Sequence, residues 1–228
     1  MIFGGLEKFT LIDYPGKTAC MVYTIGCNFR CPYCHNPELV DETAETTFSE
    51  KNVFDFLDAR TAMLDGLVVT GGEPTLHDDL PEFLKAVKTR GFLVKLDSNG
   101  TRPDMLMDII DQGLVDYIAM DIKSPLSKYS QTVARPVDVD AIRRSIRLLI
   151  DSTIDYEFRT TVIKSMLSPE DIAEIGREIN GAKKYFLQKF IASKLLNPQF
   201  RKKVTYTDLE FAEIQNALAH NVHYCGIR

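Results

Sequence analysis

A short run rich in β-branched residues, a loop holding Gly, Asp or Asn, and a capped segment of helical period recur in that order six times along the 228 residues. This alternation predicts an α/β fold built on a parallel sheet covered by helices. A complete eight-unit barrel typically takes about 250 residues. Six units therefore predict an incomplete (β/α)6 TIM-like barrel, open on one side, with residues 1–228 as a single domain. In such architectures chemistry collects at the C-terminal ends of the strands.

The first strand is expected over residues 18–24, with a cysteine-bearing loop after it, and Ser49 caps a helix whose face is Val53, Phe56 and Leu57. A second strand, 67–70, leads into Gly71-Gly72-Glu73-Pro74. The next helix has Pro81 in its first turn, buries Leu80, Phe83, Leu84 and Val87, and stops at Gly91. A third strand, 92–96, meets the turn Asp97-Ser98-Asn99-Gly100, and its helix presents Leu106, Ile109 and Ile110 before Gly113. The fourth strand, 117–122, precedes a loop of about a dozen residues, a length that is often functional, and a helix carrying Ile142, Ile146 and Leu149. The fifth, 156–163, is followed by a capped start at Ser168-Pro169-Glu170-Asp171 and a helix with Ile172, Ile175 and Ile179; the sixth is 185–190. Thr207-Asp208-Leu209-Glu210 reads as a capping box for a last helix, and 221–227 as a short terminal strand.

With 27 Lys and Arg against 32 Asp and Glu the net charge is −5, which disfavours a nucleic-acid surface. No apolar run approaches the roughly 18 residues of a membrane span, and the first residues lack the basic and apolar stretches of a signal peptide. No membrane association and a cytoplasmic location are expected. Five cysteines, three of them within eight residues, are too few and too clustered for a disulfide scaffold.

Those three form C-x3-C-x2-C at Cys27, Cys31 and Cys34. Three thiolates on a short loop can hold three corners of an iron-sulfur cube and leave the fourth iron open. A zinc site completed by His35 or a distant cysteine is the competing reading, but structural zinc usually recruits two spaced ligand pairs. Cys20 and Cys225 are unpaired singles, and His35 directly abuts a ligand. Cys20 is expected to be a core thiol and Cys225 a spare one. Glycines at 71 and 72 allow close backbone approach, and Glu73 can accept hydrogen bonds from an ammonium group, although an ordinary strand-to-helix turn would look the same.

The triplet, with Tyr33 just before its last cysteine, resembles the radical S-adenosylmethionine superfamily, and the resemblance covers nearly the whole chain. It implies a [4Fe-4S] cluster on Cys27, Cys31 and Cys34, S-adenosylmethionine chelated at the open iron, and a 5′-deoxyadenosyl radical formed by one-electron cleavage. It further implies that Gly71, Gly72 and Glu73 hold the methionine ammonium group and that the backbone of Tyr33 contacts adenine. Asp97-Ser98-Asn99-Gly100 is similar to the Asp-Thr-Asn-Gly of glycyl-radical activases, which places Ser98 and Asn99 toward the ribose; an Asx turn is the simpler alternative. Asp121-Ile122-Lys123 resembles their Asp-Leu-Lys, which approaches S-adenosylmethionine and the protein substrate; a strand-end ion pair is the alternative. Arg159 is suited to the methionine carboxylate, Gln188 to ribose or adenine, and His35-Asn36 continue the activase pattern.

The stretch Phe9-Thr10-Leu11-Ile12-Asp13-Tyr14-Pro15-Gly16-Lys17 resembles the start of anaerobic ribonucleoside-triphosphate reductase activating proteins of the archaeal and thermophile type; otherwise it is a polar hairpin turned by Pro15-Gly16. No cysteine lies between Cys34 and Cys225, so a ferredoxin-like insert and auxiliary clusters are missing. The resemblance implies a single radical S-adenosylmethionine domain that generates a glycyl radical on a partner, the anaerobic ribonucleotide reductase, with an electron donor such as flavodoxin or ferredoxin. Two alternatives stay open: a small-molecule radical enzyme, such as a 7-carboxy-7-deazaguanine synthase-like ring-contracting enzyme, and a zinc-stabilised binding module.

Overall fold

The computed structural model describes residues 1–228. Its strands are Ile2–Thr10 (β1), Ala19–Thr24 (β2), Phe48–Ser49 (β3), Gly66–Gly71 (β4), Leu93–Ser98 (β5), Tyr117–Asp121 (β6), Asp155–Val162 (β7), Tyr185–Lys189 (β8) and Cys225–Ile227 (β9). Its helices are Pro37–Val40 (α1), Glu50–Asp58 (α2), Leu80–Thr89 (α3), Pro103–Asp111 (α4), Tyr129–Thr132 (α5), Val139–Asp151 (α6), Pro169–Glu178 (α7) and Asp208–Leu218 (α8). Strand neighbours follow the order β3-β1-β2-β4-β5-β6-β7-β8-β9; the order begins and ends on different strands, so the sheet is not closed. Pairing is parallel for β2–β4, β4–β5, β7–β8 and β8–β9, and antiparallel where β1 meets β2 and β3. The α/β class and the unclosed, mostly parallel sheet are those the sequence predicts.

Two compact units make up the chain. The first comprises Met1–Asn28, Glu38–Ser98 and Asp104–Ile118. Strand alternation sorts its side chains onto two faces. Ala19 and Met21 of β2 and Val68 of β4 cluster with Tyr14 and Tyr117 on one face. Cys20, Val22, Leu67, Val69, Val94 and Leu96 occupy the alternate positions and are fully buried. α3 buries Leu80, Phe83, Leu84 and Val87, and the Phe83 ring lies 4.9 Å from Phe3 and 5.5 Å from Phe54 of α2. Each such enclosed side chain contributes roughly 1.5–3 kcal/mol of transfer free energy.

β1 departs from expectation. The sequence predicts only a hairpin entering the sheet there, because Gly4, Gly5 and the charged residues of β1 obscure a strand pattern. The glycine is used for packing: a Cβ on Gly4 would stand 2.4 Å from Leu39 Cδ2. The expected turn is present, with the Lys17 amide donating to Tyr14 O at 3.1 Å and Gly16 at φ +70°.

The second unit comprises Phe29–Pro37, Asn99–Pro103 and Ala119–Arg228. The long loop after β6 is not structureless: a 3-10 turn, Leu126–Lys128, leads directly into α5. Capping boxes start α7 at Ser168 with Asp171 and α8 at Thr207 with Glu210. Buried Glu157 of β7 takes a forked pair of hydrogen bonds from Arg228, at 2.7 and 2.9 Å, and that guanidinium lies 3.5 Å over the Phe186 ring. No helix is long and apolar enough to cross a membrane.

Thr207→Ala should cost about 1 kcal/mol, read as a lower melting temperature. The Lys164 ammonium and the Thr207 amide hold the Glu210 carboxyl down to about 2, from an ordinary 4.5. Its contribution is therefore present above about 4.5 and lost as pH falls through about 2. The melting-temperature deficit of Glu210→Gln should accordingly be full at pH 7 and close in that acid window.

Candidate functional site

The first unit supplies the Gly71–Glu73 turn at the end of β4. The Gly72 amide donates to Thr24 O at 2.9 Å and the Glu73 amide to Gly26 O at 2.8 Å. Gly71 has φ +113°, and a Cβ on it would stand 2.4 Å from Thr24 N; one on Gly72 would stand 2.0 Å from Gly26 O. Both glycines are therefore obligatory where this backbone passes the residue before Cys27. Glu73 is 1 % exposed. Its Oε1 accepts from the Thr75 amide at 3.1 Å, Thr75 Oγ1 at 2.5 Å and Ser98 Oγ at 2.9 Å. Three neutral donors thus converge on one oxygen of a buried carboxylate and fix its orientation.

Ser98 is thereby tied to Glu73 through its hydroxyl. Its neighbour Asp97 points to the other side of β5, accepting from Thr70 Oγ1 at 3.1 Å and from the buried ammonium of Lys95. Thr75 and Lys95 are not among the residues that the sequence motifs single out. The signals were the spacing of Glu73 and Thr75, which lets a capping carboxylate reach the amide two residues on, and the i, i+2 placement of Lys95 and Asp97 on one strand face.

In the second unit, the segment that carries Cys31 and Cys34 is anchored at both ends. The Arg30 amide donates to Val133 O at 2.9 Å, and the Phe29 ring packs edge-on to Tyr129 at 6.1 Å. The Asn197 and Leu196 amides donate to Pro32 O and Cys34 O at 2.9 and 3.0 Å. Cys34 closes a turn back onto Cys31 O, and none of the five cysteines is in a disulfide. Burial pushes the Cys31 thiol up to about 11 against the pull of the Lys123 ammonium. Tyr33 is buried, and its hydroxyl has no hydrogen-bond partner. Cys20 in β2 and Cys225 in β9 are pushed up to about 12 and 11 by burial, as suits inert thiols.

Asp121, at the end of β6, binds Lys123 Nζ at 2.8 Å and Arg159 Nε at 2.9 Å. Burial by itself would raise its carboxyl, but the two cations outweigh this and hold it well below the usual carboxylate range. Burial likewise disfavours the Lys123 ammonium, and Asp121 more than restores it. The strand-end ion pair is therefore present, with one carboxylate shared by two cations. Tyr129 braces the group, donating to Asp121 O at 3.4 Å and accepting from the Lys123 amide at 3.2 Å.

Asn99 makes the Asx turn weighed from the sequence: its Oδ1 accepts from the Thr101 amide at 3.0 Å and Thr101 Oγ1 at 2.7 Å. Gln188 is half-buried on β8, in register with Thr161. His35 lies against Phe190, ring centroids 6.1 Å apart. No three His, Cys, Asp or Glu side chains are grouped as a single metal ion requires. A cube of iron and sulfide spreads its thiolates over separate irons, and soft sulfur donors suit it. The soft sulfur donors of Cys27, Cys31 and Cys34 fit such a cluster by their chemistry.

The Radical SAM superfamily profile matches residues 21–179. A Methanocaldococcus jannaschii protein, provisionally named a glycyl-radical enzyme activating enzyme, is 33% identical over 223 residues, covering 93% of this chain and 90% of that protein. The pyruvate formate-lyase-activating enzyme of Listeria monocytogenes is 34% identical over 128 residues, 52% of this chain and 51% of its own. A radical SAM methyltransferase from Sphaerobacter thermophilus shares the fold at TM-score 0.69 and 16% identity, over 96% of this chain and 68% of that one.

Gly72→Ala should force the backbones of Gly72 and Gly26 apart. Overpacking of this kind costs about 1–3 kcal/mol, or roughly 2–4 °C in melting temperature per kcal/mol for a domain of this size, measurable by scanning calorimetry.

Proposed function

The chain belongs to the radical S-adenosylmethionine superfamily, in the branch that activates glycyl-radical enzymes, and from that premise we propose that residues 1–228 act as one cytoplasmic domain that installs a glycyl radical on the anaerobic ribonucleoside-triphosphate reductase. The enzymes of this superfamily use a [4Fe-4S] cluster and S-adenosylmethionine, and these are its cofactors. Bound together, they supply one-electron cleavage of a carbon-sulfur bond, which leaves methionine and a 5′-deoxyadenosyl radical able to take a hydrogen atom.

The chain's own residues then divide the work. Cys27, Cys31 and Cys34 hold the cluster, and the thiols of buried Cys20 and half-buried Cys225 take no part. Glu73, oriented by Thr75 and Ser98, receives the methionine ammonium group, and Gly71 and Gly72 let the backbone that carries it pass against residues 24–26. Arg159 receives the carboxylate, with Asp121 holding it and Lys123 in place beforehand. The Tyr33 backbone, Asn99 and Gln188 border the nucleoside, and Ser98 acts on it through Glu73. Asp121 and Lys123 also meet the incoming peptide, whose glycine must come within about 3–3.5 Å of the radical carbon.

The observation that carries the reading is the cysteine triplet followed by a carboxylate immobilised at the next parallel strand end; the choice of partner rests on Phe9 to Lys17. Anaerobic reconstitution, an assay for 5′-deoxyadenosine and an EPR glycyl doublet on the reductase test it. Each of Cys27→Ala, Cys31→Ala and Cys34→Ala should abolish 5′-deoxyadenosine formation, with Cys20→Ala and Cys225→Ala active. Zinc in anaerobically purified protein, or stoichiometric turnover of a small molecule with no doublet, would sink it.

Glu73→Ala should weaken S-adenosylmethionine binding by tenfold or more, since a hydrogen bond to a charged group contributes roughly 1.5–3 kcal/mol. Thr75→Val should lower the affinity in the same direction and Thr75→Ser restore it. Binding of 5′-methylthioadenosine, which lacks the ammonium group, should not change; equilibrium dialysis of the reconstituted protein reads both.

A further inference from the structure

Charge is segregated along this chain. Residues 180–207 contain seven Lys or Arg and no Asp or Glu, whereas the remaining 200 residues hold 20 Lys and Arg against 32 Asp and Glu. The basic stretch lies directly on the cysteine loop of the second unit. Phe190 packs on His35, and the Leu196 and Asn197 amides bond Cys34 O and Pro32 O. Asn197 is a double joint: its amide holds the loop, and its side chain accepts from the Gln199 amide at 3.0 Å to cap the 3-10 turn Pro198–Lys202. That turn presents Arg201, Lys202 and Lys203 to solvent, followed by Val204, 64% exposed. None of the three cations has a carboxylate partner. The nearby acids are already taken, Asp208 by Lys189 and Glu210 by Lys164, each at 2.5 Å.

Resting on the activase reading, the reaction needs one electron from outside the chain, because beyond the triplet only two single thiols, buried Cys20 and half-buried Cys225, remain. Electron transfer weakens steeply with distance, so a donor has to dock beside the cysteine loop. We propose that Arg201, Lys202 and Lys203, with Val204, form the docking surface for a small acidic flavin-bearing electron carrier. One electron leaves the reduced flavin and enters the cluster; the carrier is oxidised by one electron, the cluster is reduced by one, and no atom is transferred. Unpaired exposed cations suit such an encounter: opposite fields steer association, and the small interfaces of redox pairs form and part quickly.

The test uses the reconstituted holoenzyme, an R201E/K202E/K203E variant and a charge-matched control, K51E/R60E/K85E, with flavodoxin as the probe. Calorimetric binding of oxidised flavodoxin at low and high salt should show the first variant at least tenfold weaker than wild type at low salt, with its salt dependence flattened. Flavodoxin-driven 5′-deoxyadenosine formation should fall at least tenfold, while dithionite-driven formation and the dithionite-driven glycyl radical yield stay at wild-type levels. The control should match wild type throughout. Unchanged flavodoxin binding in the variant, or no binding by wild type, overturns the proposal. A glycyl radical yield lost even with dithionite also overturns it and assigns the surface to the partner enzyme. Absence of 5′-deoxyadenosine from wild type with dithionite would instead defeat the activase reading itself.

Discussion

Residues 71–73 pass residues 24–26 so closely that no side chain fits between them, and the position of the Glu73 carboxylate depends on this contact. Hydrogen bonds from Gly72 and Glu73 to Thr24 and Gly26 continue the β2–β4 ladder one step past its end. They place the Glu73 carboxylate and the approach to Cys27 in one piece of backbone. Glycine is required here by sterics as much as by dihedral angle: at Gly72 the obstacle is a backbone oxygen, which cannot rotate away as a side chain could.

The two units handle buried charge differently. Around one oxygen of Glu73 an amide and two hydroxyls converge and fix its orientation. Around Asp121 the partners are two full cations, and removing either would leave the others poorly compensated in a partly desolvated setting.

Much of this was legible from residue order because strand ends, caps and glycines act locally. Ser49, Ser168 and Thr207 cap the helices assigned to them, and Gly91 and Gly113 end theirs at positive φ. The six expected parallel strands are β2 and β4 to β8. What escaped depended on distant partners. β1 was obscured because its glycines answer to Leu39 and Tyr23 rather than to a strand pattern. The hydrogen bond from Ser98 to Glu73, 25 residues away, is reported by no local spacing. Lys95 could have been found by counting in twos along β5, yet a lysine in an apolar run reads as surface until its strand is known to be enclosed.

The contact between residues 24–26 and 71–73 also orders events during synthesis. Thr24 Oγ1 bonds Thr70 O across 46 residues, and long-range parallel pairing of this kind forms late. At about 5–20 residues per second, the cysteine loop leaves the ribosome some seconds before its neighbouring strand exists. The basic stretch that closes over Pro32 and Cys34 is made later still. The thiols are thus among the first functional groups to be exposed and the last to be sheltered, so the nascent chain meets oxidants in its most vulnerable form.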